Sequence, residues 1–151
     1  MLINYQLDGS VARITLNRPE KFNSFNREMA LELQSALKNA QRDENVRAIY
    51  ITGEGKAFCA GQDLSEAIDP SGPGIEKIVA EHYNPIVILL RIIEKPIVCA
   101  VNGVAAGAGA NISFACDITF AAKSASFIQA FSKIGLVPDS GGTYTLPRLI
   151  G

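Results

Sequence analysis

Polar and apolar positions roughly alternate from Val11 to Leu16, where β-branched side chains are frequent, and this period of two predicts a strand. Asn17-Arg18-Pro19-Glu20 ends it. The period then lengthens: Met29, Leu33, Ala36, Leu37 and Ala40 recur at helical spacing. Asn26 is the expected N-cap of that helix, with Glu28 near the positive end of its dipole. Val46 to Thr52 predicts a second strand, stopped by Gly53-Glu54-Gly55. Lys56 to Leu64 reads as a small-residue loop entering a short helix, and Asp69 to Gly74 as a surface loop. Ile78, Val79, His82, Ile86, Leu89, Leu90 and Ile93 keep helical period, interrupted by Pro85, which either kinks the helix or opens a second one. Ile97 to Val101 is continuously apolar, as a buried parallel strand would be. Asn102 to Ala110 leads into a helix ending near Ala115. A strand at Asp117 to Ala121, an extended Ser126 to Phe131, a turn-rich Gly135 to Gly142 and a last helix follow. The alternation argues an α/β fold with crossover connections and a largely parallel sheet, in one domain spanning 1–151.

Charge narrows the function classes. Fifteen acidic and 14 basic residues leave a formal charge of −1, so neither a basic nucleic-acid surface nor a polybasic membrane patch is expected. A bound polyanion must be held by a few local groups. The most apolar stretch, Ile86 to Ala110, is broken by Arg91, Glu94, Lys95, Pro96 and Asn102, which excludes a membrane span there. The N-terminus has no basic region followed by an apolar one, as a signal peptide would. Cys59, Cys99 and Cys116 sit among small apolar residues without metal-ligand spacing, which reads as reduced, buried thiols in a cytoplasmic protein, with a nucleophilic Cys59 as the alternative. His82, the only histidine, lies on the apolar period, where packing competes with acid/base work.

Two segments carry candidate chemistry. Ala60-Gly61-Gln62-Asp63-Leu64 and the run from Asn102 to Asn111 both place small residues where a strand gives way to a helix. Small side chains let a ligand reach the backbone, and the first turn of a helix leaves N–H groups free for a carbonyl that is becoming an anion. Taken alone, Gly107-Ala108-Gly109 reads first as tight helix-on-sheet packing. It is not a dinucleotide fingerprint, because Ile112 stands where the third glycine would be, and no Gly-Lys-Ser/Thr phosphate loop occurs. Asp139 lies in Pro138-Asp139-Ser140-Gly141, a good turn sequence that needs no chemistry.

In order along the chain, these segments resemble the enoyl-CoA hydratase/isomerase (crotonase) family. The matching pieces are Leu16-Asn17-Arg18-Pro19, Phe58 to Leu64, Lys95 to Gly103, Gly107-Ala108-Gly109, Cys116-Asp117-Ile118, Gly135 to Thr143 and Leu146-Pro147-Arg148. The resemblance implies a spiral of ββα turns and an acyl-CoA thioester substrate. It implies that the backbone N–H groups of Gln62 and Ala108 hold the thioester oxygen as an oxyanion hole. Ala60, Gly61, Asp63, Leu64, Gly107 and Phe131 would contact substrate, with Asp63 bracing the first oxyanion segment. Arg18, Lys21 and Phe22 are candidates for coenzyme A contacts, although a solvated face explains the two cations as well. The two glutamates of the family's hydratases align with Asn111 and Phe131, so water addition loses its carboxylate pair. Some members instead carry a catalytic aspartate at the place of Asp139. Ala130-Phe131-Ser132-Lys133, Pro138-Asp139 and Tyr83-Asn84-Pro85 are similar to the branch that isomerises ring-1,2-epoxyphenylacetyl-CoA to its oxepin form.

The implied function is therefore an isomerase with Asp139 as base, with a fatty enoyl-CoA isomerase and a non-catalytic acyl-CoA- or RNA-binding scaffold as rivals. No metal or redox cofactor is implied, since coenzyme A arrives as part of the substrate. Residues 65–90 would build part of the acyl pocket. Family members are longer, with C-terminal helices that cover the site and support a homotrimer or dimer of trimers. The chain is thus expected to be the N-terminal portion of such a fold, with apolar surface exposed near Leu146, Leu149 and Ile150.

Overall fold

Four consecutive strand–strand–helix turns account for the chain in the computed structural model, which describes residues 1–151. The first turn is β1 (Ile3–Asp8), β2 (Val11–Leu16) and α1 (Arg27–Arg42). The second is β3 (Ala48–Gly53) and β4 (Ala57–Cys59), followed by α2 (Leu64–Ala67), α3 (Gly74–Ile78) and α4 (Asn84–Ile92). The third is β5 (Ile97–Val101), β6 (Val104–Ala106) and α5 (Ala108–Ala115). The fourth is β7 (Ile118–Ala121), β8 (Ser126–Ile128) and α6 (Gly142–Ile150).

From the second turn onward, the two strands of each turn go to different sheets. The larger sheet has order β1-β2-β3-β5-β7 and the smaller β4-β6-β8. Only the β1–β2 hairpin is antiparallel; the other pairs are parallel. This is the spiral that the resemblance implies, and it carries the loops after β4, β6 and β8 to one end of the smaller sheet. The core joins α1 and α4 to the larger sheet, and α5 packs on β4 and β6 of the smaller one. Met29, Leu33 and Leu37 of α1 are buried with Ile49 and Ile51 of β3 and Ile86 and Leu90 of α4. Asn26 caps α1 as expected, its side chain accepting from the Met29 N–H at 2.9 Å.

Several elements differ from the sequence expectation for identifiable reasons. β1 was not among the expected strands, although Ile3, Tyr5 and Leu7 alternate with Asn4, Gln6 and Asp8; it is an edge strand with only Ile3 buried. β4 and β6 have three residues each and lie inside stretches that read as loops. The expected extension of Ser126 to Phe131 stops at Ile128, and a 3₁₀ turn occupies Phe131–Ile134. The helical run around Pro85 divides into α3, a π-helical turn at Val79–Tyr83, and α4, with Pro85 in the first turn of α4. The π-helical turn runs into α4 without a break, so Pro85 removes a helical donor there, and the nearby Glu81 and His82 carbonyls accept from Gln34 Nε2 at 2.8 and 3.2 Å. No helix is long and apolar enough to cross a membrane. Leu149 and Ile150 stand 61% and 74% exposed, matching the expected apolar surface, while Leu146 is half-buried.

α5 is buried nearly all round, and small residues make that possible. A Cβ at Gly109 would come within 2.7 Å of the Cβ and Sγ of Cys59 and still closer to the Cys59 carbonyl oxygen. Alanine gains about 1 kcal/mol over glycine in a helix interior, but overpacking a core costs about 1–3 kcal/mol. The obstructing atoms include backbone, so the clash wins. Gly109→Ala in the full-length protein is expected to lower the denaturation midpoint, and an unchanged or raised midpoint would contradict this packing.

Candidate active site

The loops after β4, β6 and β8 enclose one cavity of about 500 Å³ with a mainly apolar lining. Gly61 allows the first two loops to touch. Its φ of +92° favours glycine, and a side chain there would press on the Ala106 carbonyl oxygen at 2.9 Å and stand 3.7 Å from the Ala108 nitrogen. The strand-like pairing of Phe25 with Gln62 fixes the first loop. The Phe25 N–H donates to the Gly61 carbonyl at 2.7 Å and the Asp63 N–H to the Phe25 carbonyl at 2.8 Å. The Gln62 N–H between them has no acceptor within the protein. In the second loop the Gly107 N–H donates to the Ile128 carbonyl at 2.8 Å, and the Asn111 N–H to the Gly107 carbonyl at 3.1 Å. Ala108 opens α5, so its N–H precedes the helical ladder and is also unpaired. Both residues line the cavity.

Asp139 reaches the same cavity from the third loop and is half-buried. Burial pushes its carboxyl above the ordinary range, only partly offset by the Ser140 hydroxyl, which donates to Oδ1 at 2.9 Å, and by the Asn111 amide. The loop is held in an unusual shape. Ser140 and Gly141 both have positive φ, 51° and 73°, and a serine in that region stores strain. Asn111 anchors it: Nδ2 donates to the Asp139 carbonyl at 2.9 Å, and Oδ1 accepts from Gln129 Nε2 at 2.8 Å. Gly142 packs so closely on the Asn111 amide that a Cβ would overlap it. Asn111, aligned with a hydratase glutamate, is thus a buried strut between α5 and the Asp139 loop. Phe131, aligned with the other glutamate, is buried in the cavity wall.

Ala60, Gly61, Asp63, Leu64 and Gly107 all line the cavity. The Asp63 carboxylate, however, is already engaged. Oδ1 accepts from the Ser65 N–H at 3.0 Å and the Ser65 hydroxyl at 2.6 Å, and Oδ2 pairs with Arg18 at 2.7 Å. Burial alone would raise its pKa; these bonds outweigh burial and hold it below the ordinary range. Asp63 also caps α2, in keeping with the bracing role.

Arg18 requires a correction. Its side chain is only 14% exposed, its guanidinium spans Asp63 and the Ser24 carbonyl, and it is not an open cation for phosphate. Sequence could not reveal this, because the partner lies in the next ββα turn. Lys21 is exposed at the cavity rim. Phe22 is exposed outside the lining, and its carbonyl accepts from the Ala60 N–H at 2.9 Å.

His82 is buried outside the cavity, with Nε2 3.5 Å from an Arg27 nitrogen, and burial lowers its pKa. The packing alternative therefore describes it. Cys59 is buried and free, and burial pushes its thiol up to about 12, which leaves no thiolate nucleophile near neutral pH. The cavity wall from the second turn, Ala67, Ile75, Ile78, Val79 and Tyr83, was expected only as a region. Its members are apolar residues on three short helical pieces, and periodicity could not tell pocket-facing from core-facing positions.

The chain that builds this cavity matches known proteins over nearly all of its length. Residues 6–151 match the enoyl-CoA hydratase/isomerase family, and the chain belongs to that family. It is 51% identical over 148 residues to the 1,2-epoxyphenylacetyl-CoA isomerase of Escherichia coli (strain K12), covering 96% of this chain and 56% of that protein. It is 41% identical over 152 residues to a trans-2-decenoyl-acyl-carrier-protein isomerase of Streptococcus mutans, covering 99% of this chain and 58% of that one. Among solved structures, an enoyl-CoA hydratase from Bacillus anthracis superposes with a TM-score of 0.88 at 34% identity, over 100% of this chain and 59% of that one. The chain thus spans somewhat more than half the length of these relatives.

Proposed function

We propose that the full-length protein is an acyl-CoA isomerase that converts ring-1,2-epoxyphenylacetyl-CoA to its oxepin form. The observation that carries this reading is one carboxyl with a raised pKa sharing a cavity with two unpaired N–H groups, while both aligned hydratase positions lack a carboxylate. An isomerisation returns the proton it takes, so a single base suffices. Asp139 takes a proton from the carbon beside the thioester carbonyl. The electron pair moves into the carbonyl, and the N–H groups of Gln62 and Ala108 hold the resulting oxyanion. As the bond between the two epoxide carbons opens to the seven-membered ring, the proton returns to a ring carbon and the formula is unchanged. Water addition would instead need two carboxylates.

Coenzyme A enters only as part of the substrate, with Lys21 at the rim as the candidate phosphate contact. The whole protein is expected to act in the cytoplasm as a homotrimer or dimer of trimers. A 3-to-2 double-bond shift in a fatty enoyl thioester is the second reading, favoured by the apolar lining and by the similarity to an enoyl isomerase. A non-catalytic acyl-CoA- or RNA-binding scaffold would bind its ligand without turnover. Chromatographic separation and nuclear magnetic resonance of the products of the full-length protein, offered an epoxide-bearing aromatic thioester and a 3-enoyl thioester, separate these, since each substrate and its isomer share one mass. Preferential turnover of the epoxide is expected. Preference for the enoyl thioester would favour the second reading, and binding without turnover of either would reject isomerisation.

A further inference from the structure

We propose that Tyr83 is a positioning residue for the Gln62 N–H, acting through the Gln62 side chain; this rests on the oxyanion role given to Gln62 above. The Tyr83 hydroxyl donates to Gln62 Oε1 at 2.7 Å. Gln62 Nε2 in turn donates to Glu66 Oε2 at 2.7 Å, and Glu66 Oε1 accepts from the Arg27 N–H at the start of α1 at 2.9 Å. A line of hydrogen bonds therefore runs from α1 to the π-helical turn, with the Gln62 amide clamped at its centre. The Tyr83 end is fixed by packing. Tyr83 is 1% exposed and meets Phe25 edge to face, with ring centroids 5.9 Å apart. Phe25 is the residue whose backbone pairs with Gln62, so ring and hydroxyl act on the same short segment from two sides.

The clamp has a chemical reason. A backbone donor stabilises an oxyanion only if it is aimed before the charge develops. The first loop has one strand-like pairing and leads only into the four-residue α2, whereas Ala108 is the first residue of the eight-residue α5. The Gln62 side chain supplies what the loop lacks. Tyr83 itself is poorly suited to give up a proton: its hydroxyl hydrogen is committed to Gln62, and burial, with Cys59, Asp139 and Glu66 nearby, raises its pKa well above the ordinary value. A π-helical turn at Val79–Tyr83 is a common device for re-aiming a side chain at a functional site.

The test uses the full-length protein with Tyr83→Phe, which keeps the ring, and Gln62→Met, which keeps the main-chain N–H but removes the amide. Each is expected to lower kcat about 10–100-fold with KM nearly unchanged, because misaim is felt chiefly in the transition state. The double variant should be no slower than the worse single one, since both cut the same link. The infrared carbonyl band of bound phenylacetyl-CoA, labelled at the thioester carbon, should lie below its position in water for the unaltered protein and shift back in each variant. An unshifted band in the unaltered protein would remove the oxyanion reading itself. A normal shift there, kept in both variants with normal kcat, would overturn the role of Tyr83 alone. So would additive losses in the double variant. If Tyr83→Phe does not fold, Gln62→Met reads the same link.

Discussion

Asp139→Asn in the full-length protein should lower turnover about 10²–10⁴-fold, the usual loss for an acid/base group, while thioester affinity survives. The amide keeps the shape and can still accept from the Ser140 hydroxyl, but it cannot take a proton. The pH dependence supplies an independent reading. Burial raises the Asp139 pKa, and the base must be ionised, so the rate of the unaltered protein should fall as pH drops through that raised value. This acidic limb should lie above that of an exposed carboxylate.

Stability should move the other way. Between the unfolded and the raised folded pKa, the native state holds a proton that the unfolded chain has lost, so stability decreases as pH rises through that window. Above that window the ionised, half-buried carboxylate therefore destabilises the fold. Asp139→Asn should melt higher than the unaltered protein there, and the gain should vanish in acid below both pKa values. Slow turnover with raised stability marks a functional group; normal turnover with lowered stability would mark a turn residue. Turnover, thioester affinity and melting measured across pH on the same variant decide between them.

Ala108→Pro should cost about 10²–10³-fold in turnover, the loss typical of one oxyanion donor. Proline has no N–H, and Ala108 is the first residue of α5, where proline is tolerated and no helical hydrogen bond is lost. The helix should persist, so a melting temperature close to that of the unaltered protein is part of the expectation. Alanine scanning would miss this residue, because its side chain is already a methyl group and the chemistry lies in the backbone. Turnover within a few-fold of normal in a folded Ala108→Pro protein would show that the second N–H is not needed.

The parts of this site legible in sequence are those set by local rules. Asn26 as a cap, β2 and β5 as strands, and small residues at Gly61 and Gly107 follow from capping chemistry, side-chain period and close backbone approach. Asp139 was legible as a candidate only through family resemblance, since its tetrapeptide is an ordinary turn. What stayed hidden depends on distant partners. Arg18 looked like a free cation until Asp63 was folded against it. Asn111 looked like a missing glutamate and is a strut for the Asp139 loop. Tyr83 sat within a helical period broken by the π-helical turn, and nothing local announces that its hydroxyl meets Gln62. β1 is different: Ile3, Tyr5 and Leu7 alternate with polar residues, so this strand was legible and was overlooked.

The separation of the second turn into short helical pieces has a consequence for how such a protein could be re-engineered. Gln62, Ala108 and Asp139 follow three different strands, β4, β6 and β8, whereas much of the cavity wall comes from one stretch of chain between Leu64 and Tyr83. That stretch is a cassette. A graft from a relative with another acyl preference could swap the wall and leave the proposed base and the two proposed oxyanion donors on their own supports. Two positions in it are not free to vary, because Glu66 and Tyr83 grip the Gln62 amide from inside the cassette. A graft that kept those two would exchange the selector and leave the engine in place; one that lost them would be read, wrongly, as a change of specificity.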